Sequence, residues 1–128
     1  MRGRLNLLLD THILIWWLAD HKLLSKRARK AIEDADIAWV SSITAWEMEI
    51  KRVRGLLDSP SNLEETLKAR DLRSLPLTVA HAITAARLPP HHRDPFDRML
   101  IAQATVESLV VLTADPLFRA YDVPLMMG

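Results

Sequence analysis

Four acidic residues stand where a fold could bring them into one cleft: Asp10, Glu47, Asp97 and Asp115. Asp10 and Asp115 each follow a largely apolar run that predicts a buried strand, and open α/β sheets carry their sites at the carboxyl ends of parallel strands. Carboxylates about 4 Å apart repel by about 4 kcal/mol per pair at an effective dielectric of about 20, so such a cluster requires protons or cations. An all-oxygen set in a chain without cysteine predicts a hard divalent ion, Mg²⁺ or Mn²⁺.

Glu47 lies on the apolar side of a predicted helix. Ile43, Glu47 and Ile50 share one stripe at helical spacing. Glu49 lies about 200° around the helix from Glu47, at about 100° per residue, so Glu49 is predicted to be solvated and Glu47 to belong to the site. A capping box that starts at Thr44 explains Glu47 about equally well.

Asp97 has a similar position near the start of a second helix. Asp94 before Pro95 fits an N-cap followed by proline at the first helical position, which accounts fully for Asp94. Asp97 shares an apolar stripe with Leu100 and Ile101. A carboxylate on the buried side of a helix needs a partner because burying an unpaired charge is costly, and this favours a functional Asp97.

The two acids that follow strands also have structural explanations. Asp10 could cap the helix that begins near His12, and Asp115 before Pro116 is a cap-like pair. Each acid alone is therefore ambiguous. Four acids at two strand ends and two apolar stripes are harder to assign to capping alone.

Several other polar and aromatic residues are weaker candidates. His91 and His92 are interpreted as solvated loop residues rather than metal ligands. Three hydroxyls could lie behind the acids or could equally serve turns and caps: Thr11, Thr44 and Thr113. Four tryptophans are expected in the core rather than on a base-stacking surface: Trp16, Trp17, Trp39 and Trp46.

Alternating strands and helices must position these residues. Strands are predicted at 5–9, 37–40, 72–77, 109–113 and 123–125, with Pro76 indicating an edge strand. Helices are predicted at 12–19, 26–34, 43–54, 62–70, 79–87 and 95–107, with caps at Ser25, Ser61, Thr78 and Asp94. The pattern indicates one α/β domain spanning residues 1–128, with a mostly parallel central sheet of four to five strands flanked by helices.

Composition is that of an ordinary globular protein. The 128 residues are 49% hydrophobic and 26% charged, with a net charge of +1, so no global basic field indicates nucleic acid. No run approaches the roughly 18 apolar residues of a membrane span. The apolar stretch after the basic residues 1–4 is too short for a signal peptide, and we expect a cytoplasmic protein.

Four segments together resemble a known family. They are Leu8–His12, Ser41–Glu47, His92–Ala104 and Leu112–Phe118, which occur in this order across essentially the whole chain. The chain resembles PIN domains, and specifically the VapC-type ribonuclease toxins of bacterial and archaeal toxin–antitoxin pairs. Each motif is weak alone, but the ordered set is specific.

The resemblance implies a three-layer PIN-like fold and an endoribonuclease. The acidic quartet of the family maps to Asp10, Glu47, Asp97 and Asp115, which would bind one or two Mg²⁺ or Mn²⁺ ions for phosphodiester hydrolysis. Expected partners are an RNA substrate, a cognate antitoxin and a second copy of the chain in a homodimer. Two departures from the family, Glu49 and Ala114, leave the quartet complete.

Two other function classes stay open at this point. One is a PIN-like domain that binds proteins without catalysis. The other is a receiver-like signalling module, which also gathers acids at strand ends around Mg²⁺. A receiver requires an acidic pair after strand one and a lysine after its last strand, whereas Thr11 follows Asp10 here and 123–126 contain no lysine.

Overall fold

Parallel strands form the centre of the computed structural model, which describes residues 4–128. Within this range the five strands are β1 Asn6–Leu9, β2 Ile37–Ser41, β3 Arg73–Leu75, β4 Val110–Thr113 and β5 Leu125–Met127. Their order across the sheet is β3-β2-β1-β4-β5, and every neighbouring pair is parallel. The predicted α/β class and the edge position of the Pro76 strand are confirmed. The basic N-terminal residues 1–3 lie outside the described range.

Helices cover both faces of the sheet. They are α1 Thr11–Ala19, α2 Lys26–Asp34, α3 Ser42–Val53, α4 Leu63–Ala69, α5 Val79–Arg87 and α6 Pro95–Glu107, with a 3₁₀ helix at Pro116–Ala120. Successive side chains of β1 point to opposite faces, so Leu7 and Leu9 belong to one hydrophobic cluster and Leu8 to another. The first cluster includes residues of α1 and α2, and the second includes residues of α6. This sandwich is the three-layer arrangement.

Local capping chemistry explains most helix starts. The side chains of Ser25, Thr78 and Asp94 accept backbone N–H bonds at the starts of α2, α5 and α6, as predicted. The helix α3 instead begins after Ser41, whose Oγ accepts from the Ile43 N–H at 3.0 Å. The residue Thr44 is therefore inside the helix, and the capping-box explanation of Glu47 is wrong.

Two further local predictions are wrong. Ser61 does not cap α4, because that helix begins after Asn62 and no side-chain cap bond is present there. Trp46 is not in the core: it is 59% exposed and packs edge-on against Phe96, with ring centroids 5.6 Å apart. The other three tryptophans are partly buried against the two clusters, as expected.

The order of the strands determines where a site can form. From β1 the chain moves outward to β2 and β3, then returns to β4 on the other side of β1. The ends of β1 and β4 therefore lie side by side, and the Asp10 N–H donates to the Leu112 carbonyl at 3.0 Å. Such a reversal of strand order leaves a crevice at the carboxyl ends of the strands. Among the described residues, no helix combines the length and apolar character that crossing a membrane requires.

Candidate active site

Asp10 and Asp115 leave the sheet at adjacent strand ends, and each carboxylate has two separate contacts. The Oδ1 atoms cap helices: Asp10 accepts from the Ile13 N–H at 3.1 Å, and Asp115 accepts from the Leu117 N–H at 2.9 Å. The Oδ2 of Asp10 accepts the hydroxyl proton of Thr113, and that of Asp115 lies near a histidine described below. Capping and membership of the site are therefore compatible, because they use different oxygens.

Thr113 joins these two acids. Its hydroxyl donates to Asp10 and accepts from the Asp115 backbone N–H at 3.0 Å. Thr113 is completely buried as the last residue of β4, and Asp10 is 4% exposed. One side chain thus fixes the relative position of two acids that are 105 residues apart in the sequence.

Glu47 reaches the same region from α3. Its Oε1 accepts from the Thr11 hydroxyl at 2.8 Å, and its Oε2 pairs with the Lys51 ammonium at 3.0 Å. Because the Thr11 proton is used in this way, the Thr44 hydroxyl donates to Thr11 at 3.2 Å. Glu47 is buried, with 7% exposure. The acid is therefore connected to the end of β1 through Thr11, the residue after Asp10, and Thr44 of α3 supports that threonine in turn.

Glu49 points away from the site, as its position around the helix predicted. Its side chain is 44% exposed and forms an ion pair with Arg52. This pairing with Arg52 also lowers the pKa of Glu49 below its usual range. Glu49 is therefore separate from the site and offers a matched control acid on the same helix as Glu47.

Asp97 lies in the first turn of α6, and its side chain is 19% exposed. The preceding Asp94 caps this helix as predicted, its Oδ1 accepting from the N–H groups of Phe96 at 2.8 Å and Asp97 at 3.4 Å. Asp94 thus orients the turn that carries Asp97.

His92 is part of the site, and its prediction as a solvated loop residue is wrong. It is 9% exposed, and its Nε2 lies 3.0 Å from Asp97 Oδ2 and 3.1 Å from Asp115 Oδ2. Within residues 4–128, these three side chains form the one group whose ligand-type atoms all lie within 4.8 Å of one another. The neighbouring His91 is exposed, as expected, and packs edge-on against Tyr121.

The loop before α6 is fixed by groups that are distant in sequence. The Arg98 guanidinium donates to five acceptors: the carbonyls of Ala85, Leu88, Pro89 and His92 and the hydroxyl of Tyr121. That hydroxyl donates to the Pro89 carbonyl at 2.8 Å and accepts from the His92 N–H at 2.8 Å. The position of His92 two residues before the capping Asp94 could have indicated that it lies near the site. Its burial, however, depends on contacts with residues 118–121, which are distant in the sequence.

Burial and mutual repulsion raise the pKa values of two acids in the site. Burial, together with the charges of Asp94, Asp10 and Glu47, raises the pKa of Asp97 to about 7, although nearby His92 acts in the opposite direction. Burial also raises the pKa of Asp10, and the hydrogen bond from Thr113 opposes this rise. In both carboxylates the charged form is therefore less favourable than in a free side chain. A set of carboxylate oxygens with this property fits a hard divalent cation.

Comparisons with known proteins agree on one family. The sequence model described as the PIN domain matches residues 7–124. Over 124 residues the chain is 33% identical to "Ribonuclease VapC22" of Mycobacterium tuberculosis, covering 93% of this chain and 94% of that protein.

Solved structures show the same fold at lower identity. VapBC2 from Rickettsia felis, bound to a DNA fragment from its promoter, matches with a TM-score of 0.73 and 12% identity over 96% of this chain and 98% of that chain. A toxin–antitoxin complex from Klebsiella pneumoniae matches with a TM-score of 0.67 and 18% identity over 94% and 95%, respectively.

Proposed function

The chain belongs to the PIN domain family, and from its site we propose that it is a divalent-metal-dependent endoribonuclease toxin of the VapC type. The active site consists of Asp10, Glu47, Asp97 and Asp115. The observation that carries this proposal is the convergence of these acids at the junction of β1 and β4, where burial and neighbouring carboxylates raise the pKa of Asp97 to about 7. A bound cation would offset the repulsion between these acids.

Asp10 and Asp97 are the proposed direct ligands of one or two Mg²⁺ or Mn²⁺ ions. Glu47 and Asp115 bind directly, bind through water, or orient the nucleophile. When bound, a divalent ion supplies Lewis-acid chemistry, activating water and neutralising charge on the phosphate. Carboxylates that the cation neutralises no longer repel one another, which offsets the cost of burying them together.

The surrounding residues of this chain restrict how the acids can move. Thr113 restrains Asp10 and the backbone of Asp115, while Thr11, backed by Thr44, restrains Glu47. These hydroxyls occupy one lone pair of each oxygen that they contact and leave others for a cation. Supporting hydrogen bonds of this kind keep ligands in one geometry before the ion arrives.

The proposed partners follow from the relatives. Ribonuclease VapC22 indicates RNA as the substrate, and the toxin–antitoxin complex from Klebsiella pneumoniae indicates a separate antitoxin chain that neutralises the nuclease. We also propose that residues 1–128 act as one domain, that two copies form a homodimer and that the protein works in the cytoplasm.

The test is cleavage of an end-labelled total RNA pool by purified protein with Mg²⁺, with Mn²⁺ and with EDTA. Asp97→Asn should remove all metal-dependent products, whereas Glu49→Gln, an acid outside the site on α3, should cleave as wild type does. Identical purification of both variants controls for contaminating nucleases. Intact-mass analysis of each preparation tests for a copurifying antitoxin.

Equal cleavage by the wild type and Asp97→Asn would contradict the proposed site. A pure wild-type chain, free of antitoxin, that binds Mn²⁺ but cuts no RNA in the pool would contradict the proposed activity. It would instead favour a PIN domain that acts only by binding.

A further inference from the structure

The ring of His92 presents two nitrogens with different neighbours. Its Nδ1 lies 3.2 Å from the Asp94 backbone nitrogen and accepts the N–H of that residue. A backbone N–H is only a donor, so Nδ1 must carry a lone pair. In a neutral imidazole with a lone pair at Nδ1, the proton is on Nε2.

The Nε2–H is directed at the acids. It donates to Asp115 Oδ2 at 3.1 Å, and Asp97 Oδ2 lies 3.0 Å from the same nitrogen. Carboxylate oxygens are acceptors, so this arrangement satisfies donor and acceptors together. A single N–H thus lies between two carboxylates, one just after the end of β4 and one in the first turn of α6.

The position of this ring is determined by its surroundings. The His92 backbone N–H donates to the Tyr121 hydroxyl at 2.8 Å, and the ring packs edge-on against the fully buried Phe118 with centroids 5.9 Å apart. The Arg98 guanidinium bonds to the carbonyls on both sides of the loop. Rotation of the ring would break the Asp94 contact and the packing on Phe118, so Nε2 is constrained to face the site.

We propose that His92 is a positioning residue for the metal site and not a metal ligand: its Nε2–H keeps Asp97 and Asp115 together, before and after an ion binds. This inference rests on the proposed divalent-ion site. The alternative is that His92 is itself a metal ligand. Only distances suggest this, because the ligand-type atoms of His92, Asp97 and Asp115 are close enough to bind one ion together.

Hydrogen bonding decides between these two roles. Ligation through Nε2 needs a lone pair there, which moves the proton to Nδ1. An Nδ1–H would then face the Asp94 N–H, donor against donor, and the bond at the start of α6 would be lost. The positioning role retains every hydrogen bond around the ring, and each carboxylate can still bind an ion with a remaining lone pair.

The tautomer of His92 gives a direct test that does not depend on activity. Nitrogen-15 NMR of imidazole-labelled wild type, at a mildly alkaline pH where free imidazole is neutral, distinguishes Nε2–H from Nδ1–H. We expect Nε2–H without metal and the same tautomer at saturating Mg²⁺. His81 is an internal reference, because its Nδ1 accepts from the Thr78 N–H and its Nε2 contacts Glu107. A shift of His92 to Nδ1–H on addition of Mg²⁺ would overturn the proposal.

Ion affinity in matched variants gives a second test. Mg²⁺ and Mn²⁺ binding is measured by calorimetry for His92→Gln, whose amide N–H can replace Nε2–H, for His92→Ala, and for His91→Gln as the exposed control. His92→Ala should lose about tenfold or more in affinity, the usual effect of removing a residue that orients ligands. His92→Gln should regain most of this loss, and His91→Gln should bind as wild type does.

The ratio of the Mg²⁺ and Mn²⁺ affinities also distinguishes a positioning residue from a metal ligand. A positioning residue affects Mg²⁺ and Mn²⁺ by the same factor, whereas loss of an imidazole ligand weakens Mn²⁺ more, because imidazole suits transition metals better than Mg²⁺. Unchanged affinity in a folded His92→Ala, or a selective loss of Mn²⁺, would overturn the inference. A wild type that binds neither ion would instead contradict the proposed function. The tautomer of His92 measured without metal would still show whether its Nε2 is a hydrogen-bond donor.

Discussion

At the scale of single residues, the raised pKa of Asp97 links protein stability to pH and to the proposed ion site. Its pKa is raised to about 7 from an ordinary value of 3.8, mainly by burial. The native protein therefore binds a proton at Asp97 between about pH 4 and about pH 7 that the unfolded chain has released. Stability falls as pH rises wherever the native state binds more protons, and this contribution levels off above the raised pKa.

The first prediction concerns Asp97→Asn in metal-free protein. The free energy of unfolding of the wild type should fall between about pH 4 and about pH 7, by at most about 4 kcal/mol from this group. Asparagine keeps the acceptor facing His92 without the charge, so this part of the slope should disappear. Urea unfolding at several pH values measures it, with Glu49→Gln as the control.

If the free energy of unfolding depends on pH equally in the wild type and in Asp97→Asn, proton binding at Asp97 does not cause that dependence. The control is informative because partnership with Arg52 lowers the pKa of Glu49. With its pKa lowered from the ordinary value of 4.5, Glu49 makes stability rise with pH, and this rise ends just above that value, so its loss cannot remove a fall that extends to about pH 7.

The second prediction concerns ion affinity and pH. A cation competes with the proton on Asp97, so the apparent association constant for Mn²⁺ should rise by up to about tenfold per pH unit below about pH 7 and change little above it. Calorimetry in two buffers of different ionisation enthalpy should also detect a released proton. An affinity that is constant from pH 6 to pH 8, both about one unit from the raised pKa, would contradict this coupling.

At the scale of elements, the site depends on how the loop before α6 is attached. Arg98 is one residue after Asp97 and points to the other side of the helix start, where it bonds to carbonyls at the end of α5 and in the loop. The planar guanidinium offers five N–H donors in a fixed geometry, which suits several carbonyls at once. One helix turn therefore presents an acid to the site and ties down the loop that carries His92.

The third prediction tests this attachment with Arg98→Lys. An ammonium keeps the charge but cannot bind the same set of acceptors, three of which are part-buried carbonyls, and an unpaired buried carbonyl costs about 1–3 kcal/mol. We expect a loss of stability of about that size in urea unfolding, faster hydrogen exchange in 88–92 and weaker Mn²⁺ binding. Arg93→Lys, at an exposed position in the same loop, should change none of these.

If Arg98→Lys loses stability but retains wild-type exchange in the loop and wild-type Mn²⁺ affinity, the guanidinium supports the fold alone. The geometry of the site would then be independent of this loop attachment.

At the scale of the whole molecule, the sheet order brings acids together from four separate segments. The central strand β1 has β2 on one side and β4 on the other, so Asp10 and Asp115 are neighbours despite their separation in the chain. The helices that follow β2 and precede β4 supply Glu47 and Asp97. The net charge of +1 therefore conceals a strongly acidic centre.

The fourth prediction is that divalent ions stabilise the entire fold. A ligand that binds only the native state adds about 2.7 kcal/mol at a concentration of about 100 Kd. The melting temperature should therefore rise with Mn²⁺ or Mg²⁺ and return with EDTA, while Asp97→Asn should respond weakly. Sodium chloride at matched ionic strength is the control. An equal response in Asp97→Asn would indicate binding elsewhere.

Neighbouring residues in the sequence were sufficient to predict the strands, most helix caps and the helix face on which each acid lies. Apolar runs predict β1 and β4, side-chain oxygens at Ser25 and Asp94 predict helix starts, and helical spacing separates Glu47 from Glu49. These features depend on neighbours within a few residues, so the sequence contains them directly. The order of the four family segments also determined the PIN assignment.

Tertiary structure alone decided which of the other polar and aromatic residues enter the site. His92 has no local signature of burial: it is enclosed by Phe118 and Tyr121, which arrive from the far end of the chain. Trp46 has the composition of a core residue but lies on the exposed side of α3. Burial and hydrogen-bond partners at such positions depend on contacts between distant segments, and those contacts exist only once the sheet has brought the segments together.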